Sequence, residues 1–294
     1  MNARIAAAPI SWGVIEVPGW GLQLDSDRVL AEMANLGIEA TEFGPEGFLP
    51  DEPEARAARL AEAGMRGVGG FFPVVLHRSS EPGSAEDPLP AIERELEAYV
   101  AAGASTMVLA AVTGAEGYDG AGELSDAEWE TLLTNLDRAH DAAAAVGVVA
   151  TLHPHLGTVV EAPDAVARVI AGSRIGLCLD TGHYTLGGGD PVEFVEQYAD
   201  RIVHAHLKDV SLETAARVRA GEFDYREGVR LGMYQPLGAG DARISEIVAA
   251  LRGAGYDGWY VLEQDTVVES EEDATRAFDN ARRSVEFIRE AVGS

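Results

Sequence analysis

An eightfold alternation of short apolar runs with longer helical segments limits what this chain can fold into. The runs are Arg4–Pro9, Ile38–Phe43, Met65–Phe72, Thr106–Val112, Val148–His153, Ile175–Leu179, Ile202–Leu207 and Trp259–Glu263. Their length and β-branched content suit strands buried on both faces. The intervening segments carry helical starts and stops: Asp27–Leu36 before Gly37, Glu54–Ala63 before Gly64, and Pro90–Ala102 before Gly103. Asp126–Val146, Asp164–Ile170, Pro191–Tyr198, Ile244–Arg252 and Glu271–Ala291 complete the series. Strands that alternate with helices lie parallel. A length of 294 residues suits one α/β barrel, typically about 250 residues plus insertions. Residues 1–294 are therefore expected to form a single (β/α)8 TIM barrel, with a loop-rich insertion at about 211–240 that carries a helical patch, Leu212–Ala220.

Composition narrows the function classes. Hydrophobic residues make up 47% of the chain, enough for a sizeable core, and the lone cysteine, Cys178, excludes a disulfide framework. The sequence shows no charged-then-apolar leader and no apolar run near the roughly 18 residues of a membrane span. A cytoplasmic protein without membrane contact is expected. The formal charge of −27 repels phosphate backbones, and no basic stripe offsets it, so no nucleic-acid partner is expected. We read the acidity as a solubilising helix surface. A homodimer is compatible with the sequence, although no stripe marks an interface.

In barrels of this kind, functional side chains gather where strands end and βα loops begin. The polar and aromatic residues at those ends are Ser11, Trp12 and Glu16, then Glu42, Phe72, His77 and Thr113. His153, His155, Asp180, His183, His206, Lys208, Glu263, Gln264 and Asp265 follow. Of the 7 histidines only His140, in a helix, and His204, inside a strand, fall elsewhere. Asp180, His206 and Glu263 come from neighbouring strand ends. With a fourth ligand from strand five they form a mixed nitrogen and oxygen set suited to Mn²⁺, Co²⁺, Mg²⁺ or Zn²⁺. The side-chain period of two puts His204, His206 and Lys208 on one side of their strand, and likewise His153 and His155. His206 lies nearer the mouth and is the better ligand; His204 reads as a buried layer residue.

Each residue has a structural alternative. Asp180 could be a helix cap, Glu263 a solvated acid, and Lys208–Asp209 a surface pair. Lys208 could instead touch substrate or move a proton, its pKa lowered by desolvation near a metal. Trp12 and Phe72 are either core residues or walls for stacking a sugar. Gly187–Gly189 has no Lys-Ser/Thr partner and reads as a turn, not a phosphate loop.

The chain resembles the xylose-isomerase-like TIM barrel superfamily of sugar isomerases, epimerases and AP endonucleases, and within it the inosose dehydratase branch. The resemblance runs through APISW (Ala8–Trp12), LAEMANLGIEATEFGPEGFLP (Leu30–Pro50), LHPHLGTVVE (Leu152–Glu161), LDTGH (Leu179–His183) and GGGDP (Gly187–Pro191). It continues through RIVHAHLKDV (Arg201–Val210), PLGAGD (Pro236–Asp241) and YDGWYVLEQD (Tyr256–Asp265). It implies a divalent metal, Mn²⁺ or Co²⁺ foremost with Zn²⁺ or Mg²⁺ as alternatives, held by Asp180, His206 and Glu263. Where the resembling epimerases carry a glutamate on strand five, this chain has His153, with His155 beside it. Losing one of two opposed carboxylates disfavours two-carboxylate proton exchange and favours elimination of water. A departure from the inosose dehydratases is also present. Their first strand runs into an Asn-Asp-Asp-like segment, whereas residues 11–20 here read SWGVIEVPGW.

The function implied is a metal-dependent dehydratase acting on a keto-cyclitol, such as 2-keto-myo-inositol, or a related keto-sugar. The metal polarises the carbonyl; His155 or Lys208 takes the α-proton and His183 or Lys208 protonates the leaving hydroxyl. Glu42, Gln264 and Arg230 are expected to bind substrate hydroxyls, and Trp12 and Phe72 to wall the site. A sugar isomerase or epimerase on the same scaffold and a non-catalytic sugar-binding barrel are the competing readings.

Overall fold

A computed structural model describes residues 4–115 and 123–293. In chain order its elements are β1 (Arg4–Ala7), α1 (Ser26–Asn35), β2 (Ala40–Glu42), α2 (Pro53–Glu62), β3 (Arg66–Val74), α3 (Leu89–Ala101), β4 (Thr106–Ala111), α4 (Asp126–Ala145), β5 (Val149–Leu152) and α5 (Pro163–Gly172). There follow β6 (Gly176–Asp180), α6 (Thr181–Leu186), α7 (Pro191–Tyr198), β7 (Ile202–Leu207), β8 (Asp209–Val210), α8 (Leu212–Arg219), α9 (Tyr225–Arg230), β9 (Tyr234–Gln235), α10 (Ile244–Gly253), β10 (Trp259–Leu262) and α11 (Glu271–Gly293). Eight strands close a parallel barrel in the order β1-β10-β7-β6-β5-β4-β3-β2. The expected (β/α)8 architecture is thus observed.

Local chemistry accounts for the helix ends. Asp25, Ser125, Asp190 and Ser211 each cap a helix by accepting from a backbone N–H, and Ser125 forms a reciprocal box with Glu128. Inward faces carry the apolar residues. Leu132, Leu136, Ala139 and Ala143 of α4 are buried, as are Ile244, Ile247, Val248 and Leu251 of α10.

Three local departures position the site. The register of β2 on β3 shifts between Thr41 and Glu42, so that Glu42 pairs with Gly69. A Cβ at Gly69 would stand 1.7 Å from the carbonyl oxygen of Thr106, so only glycine lets β3 approach β4 there. Asp180 directly continues into α6, a helix the sequence did not signal: its Oδ1 accepts from the His183 N–H at 2.7 Å. The Gly-rich turn after α6 is a turn, as expected.

The insertion is more ordered than its loop-rich composition implied. It holds α8 and α9, and β8 and β9 pair antiparallel with Val210 opposite Tyr234. Asp209 anchors it, its carboxylate accepting from the backbone N–H groups of Gly238, Gly240 and Ala242 at 2.9–3.0 Å. The surface-pair alternative for Lys208–Asp209 therefore fails: both residues are buried. No helix among the described residues is long and apolar enough to cross a membrane.

Candidate metal and acid–base site

The carboxyl ends of β5, β6, β7 and β10 bring His153, Asp180, His206 and Glu263 together. One donor atom from each lies within 4.8 Å of all the others, and all are buried. Strand register does part of this work, since Asp180 pairs directly with His206 across β6 and β7. His206 Nδ1 lies 2.6 Å from Glu263 Oε2 and 3.8 Å from Asp180 Oδ2, and His153 Nε2 is also 3.8 Å from that oxygen. Asp180 Oδ2 is buried and makes no hydrogen bond. A carboxylate oxygen in the interior without a hydrogen bond is costly unless cations meet it, and here the Lys208 ammonium stands 3.4 Å away. The two-nitrogen, two-oxygen donor set fits a divalent metal at that point.

Glu42 sits behind this cluster. Its Oε1 is 2.9 Å from both His204 Nε2 and His206 Nε2. An imidazole whose far nitrogen is held by a carboxylate is fixed in orientation and made a better ligand. Glu42 was expected to bind substrate hydroxyls; it is buried and holds two histidines instead. Burial would raise its pKa, but the facing histidines, His206 first, bring it down to about 2.

His206 is pinched between Glu42 and Glu263. Burial opposes its charge, yet Cys178, Glu263 and Glu42 together raise its pKa well above the ordinary histidine value. Burial pushes Asp180 up to about 6, against the pull of Lys208. A divalent metal held by this set would therefore displace a proton from His206, and below about pH 6 a second from Asp180. Apparent metal affinity should fall about tenfold for each pH unit lowered while His206 stays protonated. Calorimetry in buffers of different ionisation enthalpy should record proton release on metal addition; zero release would contradict this arrangement.

Lys208 lies beside the cluster and is 1% exposed. Its Nζ is 2.8 Å from Glu263 Oε1, 2.8 Å from Asp265 Oδ1, 3.4 Å from Asp180 Oδ2 and 3.1 Å from His183 Nε2. Desolvation was expected to depress its pKa. Burial does act in that direction, but Asp180, Asp265 and Glu263 outweigh it and hold the pKa well above the ordinary lysine value. Lys208 is an ammonium.

The neighbouring histidines are the reverse. Burial and then the charge of Lys208 lower His155 to about 4. Burial, followed by His155 and Lys208, takes His183 well below its ordinary value. Their rings lie 4.0 Å apart, and His155 is 5.6 Å from the Phe71 ring. The site thus sets a charged donor beside two neutral imidazoles.

The remaining expected residues divide clearly. Trp12 is not a site wall. A 3₁₀ turn at Pro9–Trp12 turns it away, fully buried, with its N–H donating to Glu32 at 2.8 Å. Phe72 packs against the apolar core, and Phe71, one residue earlier on the opposite face of β3, approaches the histidines instead. Arg230 is a helix-surface residue paired with Glu227, because α9 buries its Gly228–Val229 side. Gln264 is buried, and its side-chain amide donates to the Tyr234 carbonyl at 3.3 Å rather than facing substrate. Tyr225 and Tyr234, both from the insertion, were missed, since nothing in a loop-rich stretch placed them. Tyr225 Oη lies 2.8 Å from Tyr234 Oη and donates to Asp265 Oδ2 at 2.8 Å. The Tyr234 ring centroid is 5.1 Å from Lys208 Nζ.

The family model for the xylose isomerase-like TIM barrel matches residues 28–291. An inosose dehydratase of Geobacillus kaustophilus is 33% identical over 296 residues, covering 97% of this chain and 93% of the relative. Among solved structures, the probable 3-DHS dehydratase AsbF of Bacillus anthracis superposes with a TM-score of 0.71 at 16% identity, covering 97% of this chain and 98% of that one. The IOLI protein, solved with a bound zinc atom, superposes at 0.68 and 16% identity, covering 99% and 98%.

Proposed function

Since the chain belongs to the xylose isomerase-like TIM barrel family and is an enzyme related to inosose dehydratases, we propose that it is a divalent-metal-dependent dehydratase of a keto-cyclitol or closely related keto-sugar. The observation that carries this reading is the buried His153–Asp180–His206–Glu263 donor set with an ammonium and neutral imidazoles beside it. When bound, the metal supplies Lewis-acid polarisation of the substrate carbonyl, which acidifies the neighbouring C–H bond.

The protein's own groups then handle two protons. His155 places its Nδ1 2.8 Å from the Leu156 carbonyl, which favours the tautomer with the lone pair on Nε2. As a neutral imidazole it takes the α-proton. Lys208 gives a proton to the β-hydroxyl, the C–O bond breaks, and water leaves as the C=C bond forms. At the end His155 carries one extra proton and Lys208 lacks one, so the balance is restored by one transfer between them through solvent. His183, whose Nε2 faces Lys208, serves as acceptor and support for that ammonium, not as the acid. The pair of opposed carboxylates that the resembling epimerases use would lack its strand-five member here, since His153 stands at the end of β5, and this supports the dehydratase reading.

The test is a panel of keto-inositols and ketoses, each offered with Mn²⁺, Co²⁺, Zn²⁺ or Mg²⁺ and followed by NMR in deuterated water. The proposal expects loss of water from a keto-cyclitol. Interconversion of epimers with no dehydrated product would transfer the assignment to an epimerase.

A further inference from the structure

We infer that Asp265 and Tyr225 are positioning residues that aim Lys208 at the leaving hydroxyl, so that the 211–240 insertion is part of the elimination machinery. The inference rests on the dehydratase reading and extends it to residues outside the donor set.

Among the described residues, Lys208 Nζ has three carboxylate partners, Glu263, Asp180 and Asp265. Of the carboxylates around its Nζ, Glu263 and Asp180 also belong to the metal donor set. A metal held by that set would compete for these two carboxylates, and Asp180 Oδ2, 3.4 Å from Lys208, makes no hydrogen bond. His183 is a neutral acceptor. Asp265 is the carboxylate that contacts Lys208, at 2.8 Å, without belonging to that set. In the loaded enzyme it is the anchor committed to the ammonium.

Asp265 is itself held from above. It lies in the segment after β10, and its Oδ2 accepts from Tyr225 at the first position of α9. Tyr225 Oη in turn meets Tyr234 Oη on β9, whose ring approaches Lys208 Nζ. Tyr225, Asp265 and Lys208 thus form a continuous chain from the insertion to the acid. Arg226, the next residue, ties the same helix to the rim through the Trp20 carbonyl and Glu269 at 2.7 and 2.6 Å. The insertion is docked by specific polar contacts, and one of those contacts ends on the group that must point at substrate.

The two half-reactions separate this role from a merely structural one. Removing the α-proton needs the metal and His155; expelling the hydroxyl needs an aimed Lys208. In deuterated water, Tyr225→Phe and Asp265→Asn should slow elimination from the keto-cyclitol about 10- to 100-fold, the range of outer-shell positioning effects. α-Proton exchange and bound metal should stay at wild-type values. The exchange-to-elimination ratio therefore rises by at least about tenfold. Tyr225→Phe removes one hydroxyl only and serves if Asp265→Asn folds poorly. A fall of both rates in parallel, or an unchanged ratio, overturns the inference while leaving the dehydratase standing. Wild-type enzyme that neither exchanges nor eliminates overturns the dehydratase reading and the inference with it.

Discussion

Asp180→Ala should leave the barrel folded, strip it of stoichiometric metal and slow both α-proton exchange and elimination by about 10³-fold or more. Asp180 is fully enclosed, and its Oδ2 stands between His153 Nε2 and His206 Nδ1. Removing it takes away one of two charged donors from a four-donor set. Lewis-acid stabilisation is worth several kcal/mol, and about 4 kcal/mol corresponds to roughly 10³ in rate. Folding should survive because the lost carboxylate is itself strained by burial, which raises its pKa to about 6. The cost is one cap bond, Oδ1 to the His183 N–H, about 1 kcal/mol. Metal analysis and circular dichroism on the same preparation separate metal loss from unfolding. A variant that keeps both metal and turnover would remove Asp180 from the site.

Lys208→Met should give a different defect. Elimination should fall about 10²- to 10⁴-fold, the usual worth of a positioned general acid, while α-proton exchange persists. Metal should bind at least as tightly as in the wild type, because a cation has left the neighbourhood of Asp180 and Glu263. The variant should also be less stable by about 3–5 kcal/mol in the absence of metal, the cost of leaving buried carboxylates uncompensated. Added metal should restore part of that loss. Arginine is a poor rescue, since the Lys208 stem packs so closely on Gly182 that a Cβ there would come 2.7 Å from Lys208 Cγ. Equal loss of exchange and elimination in Lys208→Met would make Lys208 a structural counter-ion only.

The barrel was legible from periodicity, whereas the donor set was legible from strand ends read together with the family resemblance, which put His153 where the epimerases carry a glutamate. Parallel strands buried on both faces announce themselves as apolar runs, and parity put His153 with His155, and His204 with His206, on one side of their strands without choosing between them. Asp180 and Glu263 could be read from their places at strand ends. What stayed hidden depends on contacts across the barrel or on local backbone turns. Glu42 reaches His204 and His206 from a strand distant in sequence, which no local pattern encodes. Trp12 was misplaced because a 3₁₀ turn follows β1 where a straight strand would have aimed the ring at the mouth. Phe72 was taken in place of Phe71, a one-residue error of parity near the register shift of β2 against β3. The charge state of Lys208 was the largest inversion. Desolvation was visible in the sequence, but the three carboxylates that override it come from β6 and from the chain after β10.

On the proposed function, one divalent ion at the His153–Asp180–His206–Glu263 set makes this barrel a dehydratase. The direct measurement strips the wild-type protein with a chelator and titrates Mn²⁺, Co²⁺ or Zn²⁺ back while following water loss from 2-keto-myo-inositol. Turnover should start near zero, climb in proportion to added metal and level off at about one equivalent per chain. Full turnover by the metal-stripped enzyme would rule out metal-dependent dehydration at this site.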